Sequence, residues 1–313
     1  MFARAGVALI PGASRLPFIG GGGREIPDLQ LVLRDVTVDR ERLAAYNRVC
    51  GFSSGDALPP TYPHVFAFPL ALALMTDPSF PFPAIGLVHI ANQITQHRPI
   101  GLSERLTIKV WGTPVEPHPR GKQFSVRSEA RVGDELVWEE SSTNLRRGGG
   151  SGERSGSADE RPKSRGSGSA SPEDRQTSRG SASDSGSASA DERQASSGEP
   201  LPATATWNLP ADLGRRYGSV SGDMNPIHLH RLSARLFGFP SAIAHGMWTK
   251  ARCLAALEPR LPRRFTVEVA FRRPILLPAS VQFAERDVDD GVQFEVRDAS
   301  KGTPHLDGRV NWS

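Results

Sequence analysis

The sequence predicts an α+β fold built from two similar domains, each an antiparallel sheet wrapped around one buried helix. Three observations carry that prediction: a motif that occurs twice, an apolar helix upstream of each copy, and alternating strands downstream. The motif is His97-Arg98-Pro99-Ile100, matched by Arg272-Arg273-Pro274-Ile275. Each copy lies in a longer similar stretch, Ala91–Val110 and Val267–Glu285, where a short loop leads into an alternating strand. Internal similarity of this kind marks a duplicated structural unit.

The elements follow in the same order in both halves. A strand comes first, then a short amphipathic helix containing a tyrosine, RERLAAYNRVC (Arg40–Cys50) and ADLGRRYGSV (Ala211–Val220). After a loop comes the apolar helix, VFAFPLALALM (Val65–Met75) and MWTKARCLAALE (Met247–Glu258). Strands with period-two alternation follow, the pattern of a strand with one buried face. In the first half these are Gln123–Gly133 and Glu135–Leu145. In the second they are Phe265–Phe271, Ser280–Val288, Gly291–Ala299 and a last strand in HLDGRVNWS. One apolar helix followed by such strands is the α+β arrangement of a sheet around a helix.

Between the halves, no Val, Ile, Leu, Met, Phe, Tyr or Trp occurs from Gly148 to Pro200. Such a segment cannot bury enough apolar surface to offset its ordering entropy. The expected organisation is a tail (1–24), a first domain (25–146), a disordered Gly/Ser/Ala/charged linker (147–200) and a second domain (201–313). The whole length of 313 residues suits two domains. Cys50 and Cys253 fit neither a disulfide framework nor a metal-ligand spacing and read as buried, reduced thiols of a cytosolic protein. The net charge of +4 reflects arginine use, and no basic run or helix–turn–helix spacing points to nucleic acid. Arg4 precedes a short apolar run, but Pro11 ends it early, so it is not read as a signal peptide. No stretch approaches the roughly 20 apolar residues that span a bilayer, and a soluble cytoplasmic protein is expected.

The chemistry concentrates between Tyr217 and Ala251. Ser221-Gly222-Asp223 closes a helix and Asn225-Pro226 forces a turn, because a residue before proline avoids the helical region. Asp223 and His228 therefore flank a tight, proline-stiffened loop, where a carboxylate and an imidazole together can grip one water or one substrate proton. Taken singly, each reads more readily as structural, Asp223 as a turn cap and His228 as a core histidine; only the pair flanking the stiffened loop brings the chemical reading level. Ala244-His245-Gly246-Met247 opens the second apolar helix. A glycine there leaves its N–H free at the positive end of the helix dipole, where it can hold a carbonyl oxygen whose charge grows. The alternative is that Gly246 only permits close packing.

Tyr217, Ser221, Gly222, Asp223, Asn225, Pro226, Ile227, His228 and Ala234, then His245, Gly246 and Met247, resemble the hydratase-2 signature of MaoC-like, hotdog-fold enoyl-thioester hydratases. The resemblance covers the second half closely. The first half resembles the degenerate partner domain of double-hotdog members, notably actinobacterial ones. It implies a double hotdog that interconverts trans-2-enoyl and (R)-3-hydroxyacyl thioesters in fatty-acid metabolism, with no metal and no redox cofactor. Asp223 and His228 would orient water and shuttle the proton, Asn225 would position the loop, and Gly246 N–H would be the oxyanion donor. Ser221, His245, Met247 and Arg272 are the candidate substrate-binding residues. The substrate carrier is coenzyme A or an acyl carrier protein, and a monomeric pseudo-dimer and a homodimer both stay open. His230 departs from the acidic residue that many members carry.

The first half departs further. Ser54-Gly55-Asp56 survives there, but Pro59-Pro60 stand where an Asn-Pro-x-His would follow, and His64 has no matched loop carboxylate. Its helix, with Pro69 and several alanines, either leaves a groove for an acyl tail or packs as ordinary core. Arg272 and Arg273 read either as contacts to coenzyme A phosphates or a carrier protein, or as surface arginines. Trp248 reads as core or pocket wall. A hotdog thioesterase and a non-catalytic acyl-thioester binding protein are the competing functions.

Overall fold

A computed structural model describes residues 22–148 and 201–312, which fall in one structural unit. Of the expected tail (1–24) and linker (147–200), residues 1–21 and 149–200 lie outside the described residues, and Arg147 belongs to the last strand of the first half.

The first half runs β1 (Leu31–Val36), α1 (Arg40–Cys50), α2 (Pro63–Met75), β2 (Leu87–Gln96), β3 (Leu106–Gly112), β4 (Glu116–His118), β5 (Gly121–Val132) and β6 (Glu135–Arg147). The second runs β7 (Ala203–Leu209), α3 (Leu213–Ser221), α4 (Pro226–Leu229), α5 (Arg231–Leu236), α6 (Gly246–Leu257), β8 (Phe265–Phe271), β9 (Ala279–Val288), β10 (Gly291–Asp298) and β11 (Pro304–Trp312). The expected order of strand, short helix, apolar helix and strands thus holds in both halves.

Local chemistry sets the helix ends. The Asp39 carboxylate accepts from the N–H groups of Glu41 and Arg42 and caps α1, and Gly51 closes it at φ 86°. α2 begins at Pro63, two residues before the expected Val65, because a proline at the first position gives up an N–H that had no partner there. α3 stops at Gly222, φ 87°, which turns the chain into the Asp223 loop.

All the strands among the described residues join one antiparallel sheet in the order β1-β3-β5-β6-β2-β8-β11-β10-β9-β7, with β4 paired to β5. The halves meet where β2 pairs with β8, in a register that sets Ile94 opposite Val267 and Thr95 opposite Thr266. Both copies of the repeated motif begin just past the ends of these two seam strands. Alternation buries Leu106, Ile108 and Val110 on β3, Phe124, Val126 and Ala130 on β5, and Val292, Phe294 and Val296 on β10. Val65 and Leu74 of α2, and Ala251, Cys253 and Leu254 of α6, belong to the same core cluster. Each large apolar side chain so buried contributes about 1.5–3 kcal/mol. Cys50 and Cys253 are buried free thiols whose pKa burial pushes up. No helix among the described residues is long and apolar enough to cross a membrane.

Two features add to the sequence reading. The stretch between α3 and α6 is not a plain loop but carries α4 and α5. Asn225 starts α4, its side-chain oxygen accepting from Ile227 N–H at 3.3 Å with Pro226 at the first helical position.

Candidate active site

Asp223, His228 and His245 converge between α3, α4 and the start of α6. The Asp223 turn is locally built: its N–H donates to Ser221 Oγ at 3.2 Å, and its Oδ1 accepts from Asn225 N–H at 3.1 Å. Gly214 and Gly218 let α3 approach this segment, since a Cβ would lie 1.9 Å from His228 O and 2.8 Å from Asp223 O respectively. His228 is buried, and its Nδ1–H donates to the Ile243 carbonyl at 2.8 Å. A backbone carbonyl can only accept, so Nδ1 carries the proton and Nε2 keeps a free lone pair. Burial lowers the His228 pKa, with Asp223 and the Ile243 carbonyl pulling the other way. A neutral imidazole with an open Nε2 has the lone pair that general-base chemistry requires.

His245 lies flat against His228, ring centroids 3.7 Å apart and planes 23° from parallel. Its Nε2 faces Asp223 O at 3.1 Å and Asp223 Oδ2 at 3.7 Å, which ties the start of α6 to the Asp223 turn. Burial and the neighbouring His228 bring its pKa to about 3, and its Nδ1 is buried without a partner. Tyr217 also packs against it, ring centroids 4.9 Å apart and tilted by 55°, and Tyr46 from the first half stands 6.0 Å from Tyr217. An aromatic ladder therefore crosses from one half to the His245–His228 stack of the other.

The donor atoms of Asp223, His228 and His245 lie within 4.8 Å of one another, a spacing that invites a metal. The stacking argues otherwise. A metal sits in the plane of each imidazole about 2.0–2.1 Å from nitrogen, and two nearly parallel rings 3.7 Å apart share no such point.

Gly246 opens α6, so its N–H has no intrahelical acceptor. A Cβ there would come within 2.9 Å of the Phe271 ring, which leaves hydrogen as the side chain that fits. Of the other sequence candidates, Ser221 and Met247 are buried, Ser221 bracing the turn and Met247 within the core cluster. Trp248 is core, with Nε1 donating to Val49 O at 2.9 Å. Arg272 is paired with Asp307 at 2.5 Å.

A second polar cluster had no sequence signal. Lys250, one turn along α6 from Gly246, is fully buried and donates to Asn92 Oδ1 at 2.5 Å, Asn92 O at 3.2 Å and Val267 O at 3.3 Å. Asn92 Nδ2 in turn donates to Glu140 Oε1 at 2.7 Å and Ser142 Oγ at 2.9 Å. His64 Nδ1 meets Glu140 at 2.9 Å. His64 thus has a carboxylate after all, supplied by strand β6 instead of a loop. His64 and Asn92 hold the Glu140 pKa below the usual carboxylate range against the burial that raises it. The chain Lys250–Asn92–Glu140–His64 links α6 to the N-terminus of α2 across the seam.

Two halves on one sheet, one of them carrying a carboxylate–imidazole loop beside a glycine-led helix, define the class of double-hotdog proteins. Comparison with known proteins places the chain within that class: it belongs to the MaoC-like dehydratase family. The MaoC like domain matches residues 192–308. The 3-hydroxyacyl-thioester dehydratase X of Mycobacterium tuberculosis is 32% identical over 288 residues, covering 91% of this chain and 90% of that relative. The crystal structure of HtdX from the same organism superposes with a TM-score of 0.71 at 29% identity, over 91% of this chain and 100% of the other. A MaoC-like dehydratase of Phytophthora capsici shares the fold at TM-score 0.66 and 17% identity, over 92% and 96% of the two chains.

Proposed function

We propose that the chain catalyses the reversible hydration of trans-2-enoyl thioesters to (R)-3-hydroxyacyl thioesters, in fatty-acid metabolism and in the cytoplasm. The observation that carries this reading is the tautomer of His228: Nδ1–H fixed on Ile243 O leaves Nε2 as a base in a cluster whose donor atoms, the Asp223 carboxylate among them, lie within 4.8 Å of one another. In the hydration direction, His228 Nε2 takes a proton from water as the water oxygen bonds to C3. The C2–C3 π electrons move toward the thioester, and the Gly246 N–H with the α6 dipole stabilises the enolate oxygen. The proton then passes from the His228–Asp223 pair to C2. Asn225 holds the loop between the two, and His245 fixes the Asp223 turn to the helix that carries Gly246.

The first half supports the acyl chain and keeps no Asn-Pro-x-His loop of its own. The two halves complete a pseudo-dimer within one chain, and the low-apolarity stretch of residues 147–200 acts as a tether between them. Mixing the protein with trans-2-enoyl thioesters of short, medium and long chain and following the enoyl absorbance tests the reading. Loss of absorbance with formation of the (R)-3-hydroxy product is the expected result. Release of free thiol instead would establish a thioesterase, and neither change with any carrier would leave a binding protein.

A further inference from the structure

The catalytic segment has an outer side as well as an inner one. Where His228 points inward from α4, the next residues, Leu229 and His230, line a surface depression of about 520 Å³. Arg215 of α3 and Arg231 of α5 border it, Leu276 and Pro278 wall it, and none of its lining residues is acidic. Arg215 Nη1 donates to Leu229 O at 3.1 Å and stands 3.5 Å from His230 Nδ1, while Arg231 Nε donates to Pro240 O at 3.4 Å. Each guanidinium has five N–H donors, so most of them stay available. Neither arginine has a carboxylate partner among the described residues, in contrast to Arg98, Arg260 and Arg272, each of which is ion-paired.

We infer that this depression binds the phosphate at the far end of the substrate's pantetheine arm, a role that rests on the thioester reading above. Two unpaired guanidiniums and an imidazole over apolar walls suit a phosphate joined to a largely apolar, amide-containing chain. The depression and the catalytic imidazole share one short segment, because Ala242 lines the former and the adjacent Ile243 carbonyl holds the latter. α4 is only four residues, about 6 Å, long. An arm with two amide units between sulfur and phosphate is long enough to round it. The charge that the sequence attributed to Arg272 is neutralised by Asp307, whereas Arg215 and Arg231 have no carboxylate partner among the described residues. Coenzyme A and a carrier protein both end the arm in this phosphate, so the shared chemistry is the pantetheine phosphate.

The test uses the full chain and its Arg215→Gln/Arg231→Gln double variant. Calorimetric titration with free coenzyme A and with 4′-phosphopantetheine reads binding without turnover. Wild type is expected to bind both, and the double variant to bind each at least about tenfold more weakly, as expected when charge-assisted hydrogen bonds are lost. Binding of coenzyme A alone would place the nucleotide phosphates, not the arm's phosphate, in the depression and overturn the assignment. Equal affinity of wild type and variant would overturn it as well. Kinetics supply the second reading: the preference for an enoyl-CoA over the phosphate-free N-acetylcysteamine thioester should fall about tenfold, through KM. An enoyl carrier-protein thioester should show the same fall if the arm's phosphate is what binds. An unchanged preference would refute the inference, while absence of turnover with every thioester would refute the proposed reaction and leave the titration to decide this site.

Discussion

Lys250 offers the most demanding test of the structure. Methionine nearly matches its length and carries no charge, so Lys250→Met preserves volume while removing the ammonium. Asn92 Oδ1 then loses its donor at 2.5 Å, and Asn92 Nδ2 stays committed to Glu140 and Ser142. One orphaned buried acceptor costs about 1–3 kcal/mol, or a fall in Tm of about 2–12 °C for a domain of this size. The pH dependence is the sharper signature. Burial pushes the Lys250 pKa down to about 7, with Glu140 and Glu268 opposing. The unfolded lysine holds its proton to about pH 10.4. Between those values the unfolded state binds one proton more than the folded state, so this group makes stability rise with pH by about 1.4 kcal/mol per unit. Methionine has no such dependence. The stability gap between wild type and variant should therefore widen by about 2 kcal/mol from about pH 7.5 to pH 9. Urea unfolding followed by far-UV circular dichroism at several pH values in that range measures it. A gap that stays constant with pH would show that Lys250 keeps its proton in the fold and would refute the argument.

Other outcomes follow from the site. Asp223→Asn and His228→Ala should each lower kcat by about 10²–10⁴, with Tm measured alongside to confirm folding. His228 has a folded pKa below that of free imidazole, so the acid limb of kcat/KM should lie below about pH 6.5; a limb above that value would contradict the neutral base. Gly246→Ala should lower kcat by about 10²–10³, as loss of an oxyanion donor does, because its Cβ meets Phe271 at 2.9 Å and obstructs the N–H. Its Tm should change little, since about 1 kcal/mol of helix propensity offsets part of the about 1–3 kcal/mol of overpacking. Glu140→Gln should lower Tm by several degrees by replacing the acceptor at 2.9 Å from His64, read by thermal unfolding.

Local signals were legible, and distant ones were not. The bounds of α1 and β8 match the sequence reading residue for residue, because a capping aspartate, a closing glycine and strict alternation act over a few positions. The Asp223–His228 loop was legible for the same reason, as proline and glycine fix the backbone there. The stacking of His245 on His228 was not, since their 17-residue separation in sequence closes only when the residue capping α6 meets α4. Glu140 lies 76 residues from His64, and its place on an alternating strand reads as a solvated face until β6 pairs with β2. Lys250 sits on an apolar helix, where a lone lysine looks like a residue reaching for water. Only the seam reveals the three oxygens that it meets.

The pairing of β2 with β8 also bears on how the catalytic centre responds to dilution. In a hotdog assembled from separate chains, that edge-to-edge contact would be a bimolecular equilibrium, and the centre would dissolve as protein became scarce. Here both strands belong to one polypeptide, so the contact forms at an effective concentration set by the intervening chain and not by the amount of protein present. Specific activity that holds constant down to trace enzyme concentration is the kinetic mark of that covalent continuity.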